Sequence, residues 1–315
     1  MRFALVTTIV CVLAPAAQAE TLKVAIPQKG LWDTSITEFG QKAGIFKKEG
    51  LKLDLIYTQG GSTTVQSVLS GSIDIGMQTG LLGLIGAYSK GAPVRVISSA
   101  ATGAADLYWY AKKGSGIKSL KDANGKTIAY SEVGSSTNLV VLAMLQQSGA
   151  KAKPVHTGGI PGTFTQVMSG QVDIGWAVPP FGLKDIKDGK IHIVARGRDV
   201  KSLGDETLRV NFASANTLKN KRDALIKFSK GYAESVKWVY SHPEALKWFA
   251  EGRKVSLDIA KTVPSQFYPE ANEQPYTIRG LPLALKQALD YKFISHAMKP
   301  SDLKGMIDIL YKKNQ

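Results

Sequence analysis

The sequence predicts an α/β protein of two similar lobes facing each other across a cleft, and three observations carry the prediction. The first is a segment written twice, YTQGGSTTVQSVLSGSIDIGMQTG at residues 57–80 and HTGGIPGTFTQVMSGQVDIGWAVP at residues 156–179. At an offset of 99, nine of 24 positions are identical, among them Thr58/Thr157, Gly60/Gly159, Thr64/Thr163, Asp74/Asp173 and Gly76/Gly175. A single repetition at a domain-sized interval implies two lobes, whereas a solenoid needs several short repeats. The second is length: about 296 residues remain after a leader is removed, large for one core and natural for two. The third is the alternation of strand-like and helix-like segments along both halves.

The leader is residues 1–19. Met1 and Arg2 give a basic start, Phe3 to Ala14 is an apolar run too short to span a bilayer, and Ala17-Gln18-Ala19 supplies a small-x-small cleavage pattern. The expected product is a secreted, soluble chain that begins after Ala19. Cys11, the only cysteine, leaves with the leader, so the secreted chain is expected to have no thiol chemistry and no disulfide. The preceding Ile9 and Val10 are not the small residues expected before a lipidated cysteine.

The net charge of +15 raises the question of nucleic acid or membrane binding. Thirty-two of the 40 basic residues are lysines, scattered over surface-like positions with no run of five. Arginine is the residue suited to bidentate phosphate recognition. The expected partner is therefore a small molecule and not a nucleic acid.

Each element has a local reason. Leu22 to Ile26 is an apolar run ahead of Pro27 and Gly30 and reads as a buried strand. A loop with Trp32 and Asp33 follows, then a helix opened by a Ser35/Glu38 capping box and stopped at Gly44. Leu51 to Tyr57 alternates as a strand does, Thr63 to Leu69 is helical, Ser70-Gly71 turns, and Ile73 to Met77 is a strand. Leu81 to Ala87 is a buried helix. The second lobe repeats the recipe: strand Lys126 to Tyr130, helix Asn138 to Gln147, strand Ala152 to His156, helix Phe164 to Met168 and strand Val172 to Trp176. Such alternation predicts parallel pairing, with ligands beyond the carboxyl ends of the strands. Val94 to Ala111 and Leu208 to Ala215 read as the two crossings between lobes, and two crossing strands make a hinge. Lobe 1 is then residues 20–102 and 210–315, and lobe 2 is residues 103–209. The rest is helical: Arg222 to Tyr240, Pro243 to Ala250, Ser256 to Val263, Leu283 to Ile294 and Ser301 to Leu310.

KKGSGIKSLKDANGKTIAYSEVGSSTN (Lys112 to Asn138), FGQKAGIFKKEGLKLDL (Phe39 to Leu55), SGSIDIGMQTG (Ser70 to Gly80) and the hydroxyls Ser98-Ser99 resemble a known family. It is that of the substrate-binding proteins of bacterial ABC importers for nitrate, sulfonates, taurine and thiamine-precursor pyrimidines. The resemblance covers nearly the whole secreted chain. It implies a two-lobed periplasmic-binding-protein fold (type II, "Venus flytrap"), with two hinge strands and a helical C-terminal segment packed on lobe 1. It also implies that a captured solute is handed to a membrane permease, and a monomer is expected.

The resemblance places ligand contacts on loops at the cleft. Here those loops hold Trp32, Asp33, Gly61, Ser62, Thr79, Gly80, Ser99, Ala100, Ser135, Ser136, Thr137 and Trp176. Gly61-Ser62 and Ser135 to Thr137 fall at helix N-termini, where free N–H groups and the dipole favour an anion or polar acceptor. The same residues serve as ordinary N-caps. Trp32 and Trp176 would sandwich a planar or apolar group, or simply pack at the lobe rim. Asp33 would accept from an amine or ring N–H, or cap the next helix. Asp74 and Asp173 recur at the same turn-to-strand junction, which argues for a shared structural job. Tyr108-Trp109-Tyr110 fits a half-buried strand.

Enzyme readings find little support. The four histidines stand far apart without metal-ligand spacing, and there is no G-x-S-x-G elbow or G-x-x-x-x-G-K-[ST] loop. Ser115-x-x-Lys118 and Ser301-x-x-Lys304 lack the companion motifs of serine–lysine hydrolases. An iron-dependent pyrimidine synthase of the same fold family uses cysteines, which this secreted chain lacks. No cofactor and no metal are expected. The predicted solute is a small organic anion, an organosulfonate or aromatic carboxylate. The alternatives are a neutral pyrimidine-type thiamine precursor, with Asp33 accepting a ring N–H, or a role as a ligand-binding sensor subunit.

Overall fold

The structure is a computed structural model and describes residues 19–313. The expected leader up to Gln18, with Cys11, lies outside the described residues. Two five-stranded sheets organise the chain. In the first unit the order along the chain is β1 (Glu20–Pro27), α1 (Trp32–Lys42), α2 (Ile45–Lys48), β2 (Leu51–Thr58), α3 (Gly61–Leu69), β3 (Ile75–Gly80), α4 (Leu81–Ser89) and β4 (Val94–Thr102). The second unit holds β5 (Tyr108–Lys112), β6 (Thr127–Tyr130), α5 (Ser136–Ser148), β7 (Lys153–His156), α6 (Ile160–Met168), β8 (Ile174–Ala177), α7 (Leu183–Lys187) and β9 (Ile191–Arg196). The chain returns through β10 (Thr207–Ser214) to α8 (Ala215–Asn220), α9 (Arg222–Ser241), α10 (Pro243–Arg253), α11 (Leu257–Phe267) and α12 (Leu281–Asp290).

The sheet orders are β2-β1-β3-β10-β4 and β7-β6-β8-β5-β9. They match position for position, and in each the fourth strand is the one exchanged between units. Four strands of each sheet run in one direction, three of them directly paired in parallel, as the alternation predicts. The exchanged strands β10 and β5 run antiparallel to both neighbours, so the sheets are mixed. Thr207 to Arg209, expected at the end of lobe 2, pair in the first sheet, Arg209 lying opposite Gly80 and Ala101.

The repeated residues perform the same task twice. Thr58 and Thr64 hydroxyls lie 2.6 Å apart, as do those of Thr157 and Thr163. Thr64 Oγ1 donates to the Gly60 carbonyl and Thr163 Oγ1 to that of Gly159. Asp74 accepts from the Lys23 N–H and Asp173 from the Thr127 N–H, both at 2.9 Å, each tying its turn to the first parallel strand of its sheet. Gly76 and Gly175 leave room for aromatic rings: a Cβ at Gly76 would stand 2.2 Å from Phe212, and one at Gly175 2.6 Å from Tyr110.

Two expected elements are corrected. The Ser35/Glu38 capping box does not open α1, which begins at Trp32, with Thr34 Oγ1 accepting from the Leu31 N–H and donating to the Gln28 carbonyl. Trp32 and Asp33 thus occupy a first helical turn instead of a loop. The expected helix Ser301 to Leu310 is a short 3₁₀ turn, Pro300–Leu303, followed by extended chain along β4. The Val96 N–H donates to Met306 O (2.7 Å), and the Asp308 and Leu310 N–H groups donate to Val96 O and Ile97 O. β4 would otherwise be an open edge, and covering it satisfies backbone groups that helix propensity does not account for. The helical part packs on the first unit, α9 against α1 and α2, and α12 against α4. No helix among the described residues is long and apolar enough to cross a membrane.

Candidate functional site

The units meet at the carboxyl ends of their parallel strands, around a cavity with about 50 Å³ of free space. Asp33, Gly61, Gly80, Ser135, Ser136, Thr137 and Trp176 line it. Arg209, Asp106, Gln78, Gln28 and Ser131 join them and were not foreseen.

The charge is concentrated in one buried cluster. Arg209 donates through Nη1 to Asp33 Oδ2 (3.1 Å), through Nη2 to Asp106 Oδ2 (2.6 Å) and through Nε to Ser136 Oγ (3.0 Å). Asp33, Asp106 and Arg209 are all buried. One cation therefore faces two carboxylates, and its donors are directed at protein groups. Burial pushes Asp33 up to about 6 against the pull of Arg209, and the neighbouring Asp106 adds to the rise. Burial would lower Arg209, but the two aspartates outweigh it and hold the guanidinium raised. Glu273, buried in the same neighbourhood, is pushed well above the usual carboxylate range, chiefly by burial and further by Asp33.

The hydroxyls of α5 work as caps within the protein. Ser135 Oγ accepts from the Asn138 N–H (3.1 Å), and Thr137 Oγ1 accepts from the Ser131 N–H (2.9 Å) and lies 2.8 Å from both serine hydroxyls. Four polar groups of the residues that line the cavity have no partner among the described residues. They are the donor Trp176 Nε1, the acceptor Gln78 Oε1, and the N–H groups of Ser136 and Thr137 in the first turn of α5. Gln28 and Gln78 hold left-handed backbone, with φ of 59° and 47°. Such strain in a side chain that is not glycine gathers at ligand-facing positions.

The other expected residues fall elsewhere. Trp32 lies beneath the cleft in an edge-to-face cluster with Phe39, Tyr240 and Phe249, so no tryptophan sandwich forms. Ser99 and Ala100 are fully buried in β4, the Ser99 N–H donating to Pro275 O. Ser62 and Thr79 line a separate crevice beside the cavity. The N-terminus of α3, expected to be an anion seat, already holds a carboxylate. Glu132 of the second unit accepts from the Ser62 N–H (2.7 Å), the Thr63 N–H (3.3 Å) and Thr63 Oγ1 (2.8 Å). Arg209 and Asp106 were legible as charges in apolar surroundings, the usual mark of a buried pair. Nothing local marks Glu132 as a partner for a helix 70 residues away.

Two sheets of matched order, exchanging one strand each and meeting at their strand ends, define the periplasmic-binding-protein fold, and the solved structures agree. The alkanesulfonate-binding protein SsuA of Xanthomonas axonopodis pv. citri, bound to MOPS, superposes with a TM-score of 0.72 at 17% identity over 88% of this chain and 92% of that one. The nitrate-binding protein NrtA of Synechocystis PCC 6803 gives 0.73 at 11% identity over 92% and 86%. SsuA of Escherichia coli gives 0.67 at 19% over 87% and 92%. The chain belongs to the "NMT1/THI5 like" family, whose model matches residues 38–246. No curated protein is significantly similar to it in sequence.

Proposed function

We propose that this chain is the periplasmic solute-binding component of an ABC importer, secreted by cleavage after Ala19, monomeric and not an enzyme. Its two lobes would close on one small solute and present the closed form to a membrane permease. The fold, the family and the matched chain lengths support this reading. The cavity's 50 Å³ is about the volume of one or two waters. Admitting a larger solute requires the lobes to part, and the two strand crossings provide the hinge.

For the solute we favour a small, flat, uncharged molecule with neighbouring N–H donors and acceptors, the pyrimidine-like class, over a free organic anion. The observation that carries this is the pair of buried aspartates set against a single arginine. Their excess negative charge penalises an anion in a desolvated site, whereas Asp33 and Gln78 Oε1 accept from N–H groups while Trp176 Nε1 and α5 donate. An organosulfonate or aromatic carboxylate remains a second reading, favoured by the two unused N–H groups at the start of α5.

Thermal unfolding against pyrimidines, aromatic carboxylates, sulfonates and nitrate tests the choice. A bound solute at 100 times its Kd adds about 2.7 kcal/mol. We expect a rise with pyrimidines that is lost in Trp176→Ala and Asp33→Asn. A rise with sulfonate or nitrate alone would overturn the uncharged reading. No rise with any solute would count against the whole proposal.

A further inference from the structure

We propose that Glu132 is a built-in closing group: it supplies from within the chain the anion that α3 takes at its N-terminus, so that lobe closure does not depend on an anionic solute. This rests on the reading of a cleft that opens and closes. Glu132 follows β6 in the second unit, and its carboxylate spans the cleft to receive two backbone N–H groups and one hydroxyl of α3 in the first. Next to it, Ser62 Oγ donates to Val133 O at 2.7 Å. Gly60 makes the approach possible, since a Cβ there would stand 2.6 Å from the Glu132 carboxyl carbon. All these contacts join the two units, so all are lost when they part.

The physical role of the charge follows from what it touches. The first turn of a helix carries unsatisfied N–H groups and the positive end of the dipole, and a carboxylate there forms short, charge-assisted bonds. In the open form Glu132 and the α3 N-terminus both return to water, so the net gain belongs to closure. Glu132 thereby acts as a specificity residue as well. It fills the seat that the N-terminus of α3 would otherwise offer to an anionic group of a solute.

The test uses the secreted chain, whose lack of cysteine allows spin labels at Lys52→Cys and Lys153→Cys, exposed positions on the edge strands of the two sheets. Distance distributions are recorded without solute for the parent, Glu132→Ala and Glu132→Gln, with and without 100 mM formate. We expect Glu132→Ala to lower the ratio of closed to open forms about tenfold, the worth of a charge-assisted cap at a partly exposed site. Formate should restore most of the loss in Glu132→Ala by taking the vacated seat, and should not act on the parent or on Glu132→Gln, whose amide fills the space. Unchanged distributions in Glu132→Ala, or equal formate responses in all three proteins, would overturn the proposal. Circular dichroism and melting of each variant separate loss of closure from loss of fold. A parent whose distances respond to no solute would instead count against the solute-binding reading and leave the comparison of variants intact.

Discussion

The two copies of the repeat are alike inside and unlike at the cleft. Inside, the threonine pair, the aspartate on the first strand and the glycine under an aromatic ring recur with matching geometry. At the cleft, equivalent positions carry different chemistry. Lys23 and Thr127 are equivalent, since each donates its N–H to the repeated aspartate. Five residues further along in each copy come Gln28 and Glu132. Both reach across to the glycine ahead of the other unit's helix, Glu132 to Gly60 and Gln28 to Gly159. One arm is a carboxylate and the other an amide. Packing within a lobe tolerates few alternatives and stays the same in both copies, whereas the cleft edge is free to diverge.

The strongest way to break this comparison is at the repeated glycines. Gly76→Ala drives a methyl group into Phe212 and Thr64, and Gly175→Ala into Tyr110 and Val167. Overpacking of this kind costs about 1–3 kcal/mol and occasionally more. Urea midpoints should show the upper end at Gly76, where the gap is smaller, and about 2 kcal/mol at Gly175. A neutral result at either would mean that the shared glycine has no shared task.

A second substitution separates the interior from the rim. A Cβ at Gly80 would stand 2.4 Å from the carbonyl oxygen of Gly134 across the cleft, and backbone cannot swing aside as a side chain can. Gly159→Ala meets only the ends of Gln59 and Gln28. Small-angle scattering should therefore show a larger radius of gyration for Gly80→Ala and no change for Gly159→Ala. Equal radii would mean that the two units do not close as described.

Asp33 gives a smaller effect, with a defined sign. Its pKa is raised from 3.8 to about 6 by burial, so the folded protein binds more protons than the unfolded chain between those values. Its contribution to stability is fully present below about pH 4 and is lost as pH rises towards 6. Glu206, raised by burial to about 7, acts in the same direction over a window that reaches neutrality. Asp33→Asn should flatten the lower part of the slope in urea unfolding between pH 4 and 7 and leave the upper part. An unchanged slope would remove Asp33 as its source.

How much of this was legible follows from where each signal lies. The repeat showed as identities, because the threonine pair and the aspartate work within a few residues or between neighbouring strands. The parallel strands showed as apolar runs. Contacts made by the fold as a whole were not legible as contacts: the charges of Arg209 and Asp106 stand out in apolar surroundings, but their pairing with each other and with Asp33 does not, and neither the C-terminal chain laid along β4 nor the seating of Glu132 on a helix of the other unit leaves a local trace. Trp32 misled because an aromatic residue beside a capping residue reads equally as binding surface or as core.

One part of the asymmetry at the cleft can be traced to a single repeat position. At the offset of 99, Ser62 of α3 corresponds to Pro161 of α6. The shortest bond to Glu132 comes from the Ser62 N–H, and proline has none to give. A carboxylate in place of Gln28 would therefore meet an α6 whose equivalent donor is missing. Gln28→Glu alone should leave the closed-to-open ratio nearly unchanged. Adding Pro161→Ser restores the N–H, and the double variant should favour closure by about two- to fivefold, the worth of one exposed charge at a helix N-terminus. The same label pair at positions 52 and 153 measures both. If Gln28→Glu closes the protein as well with Pro161 in place, the missing N–H is not what keeps the two arms different, and the capping geometry at Glu132 would owe its strength to the Thr63 hydroxyl instead.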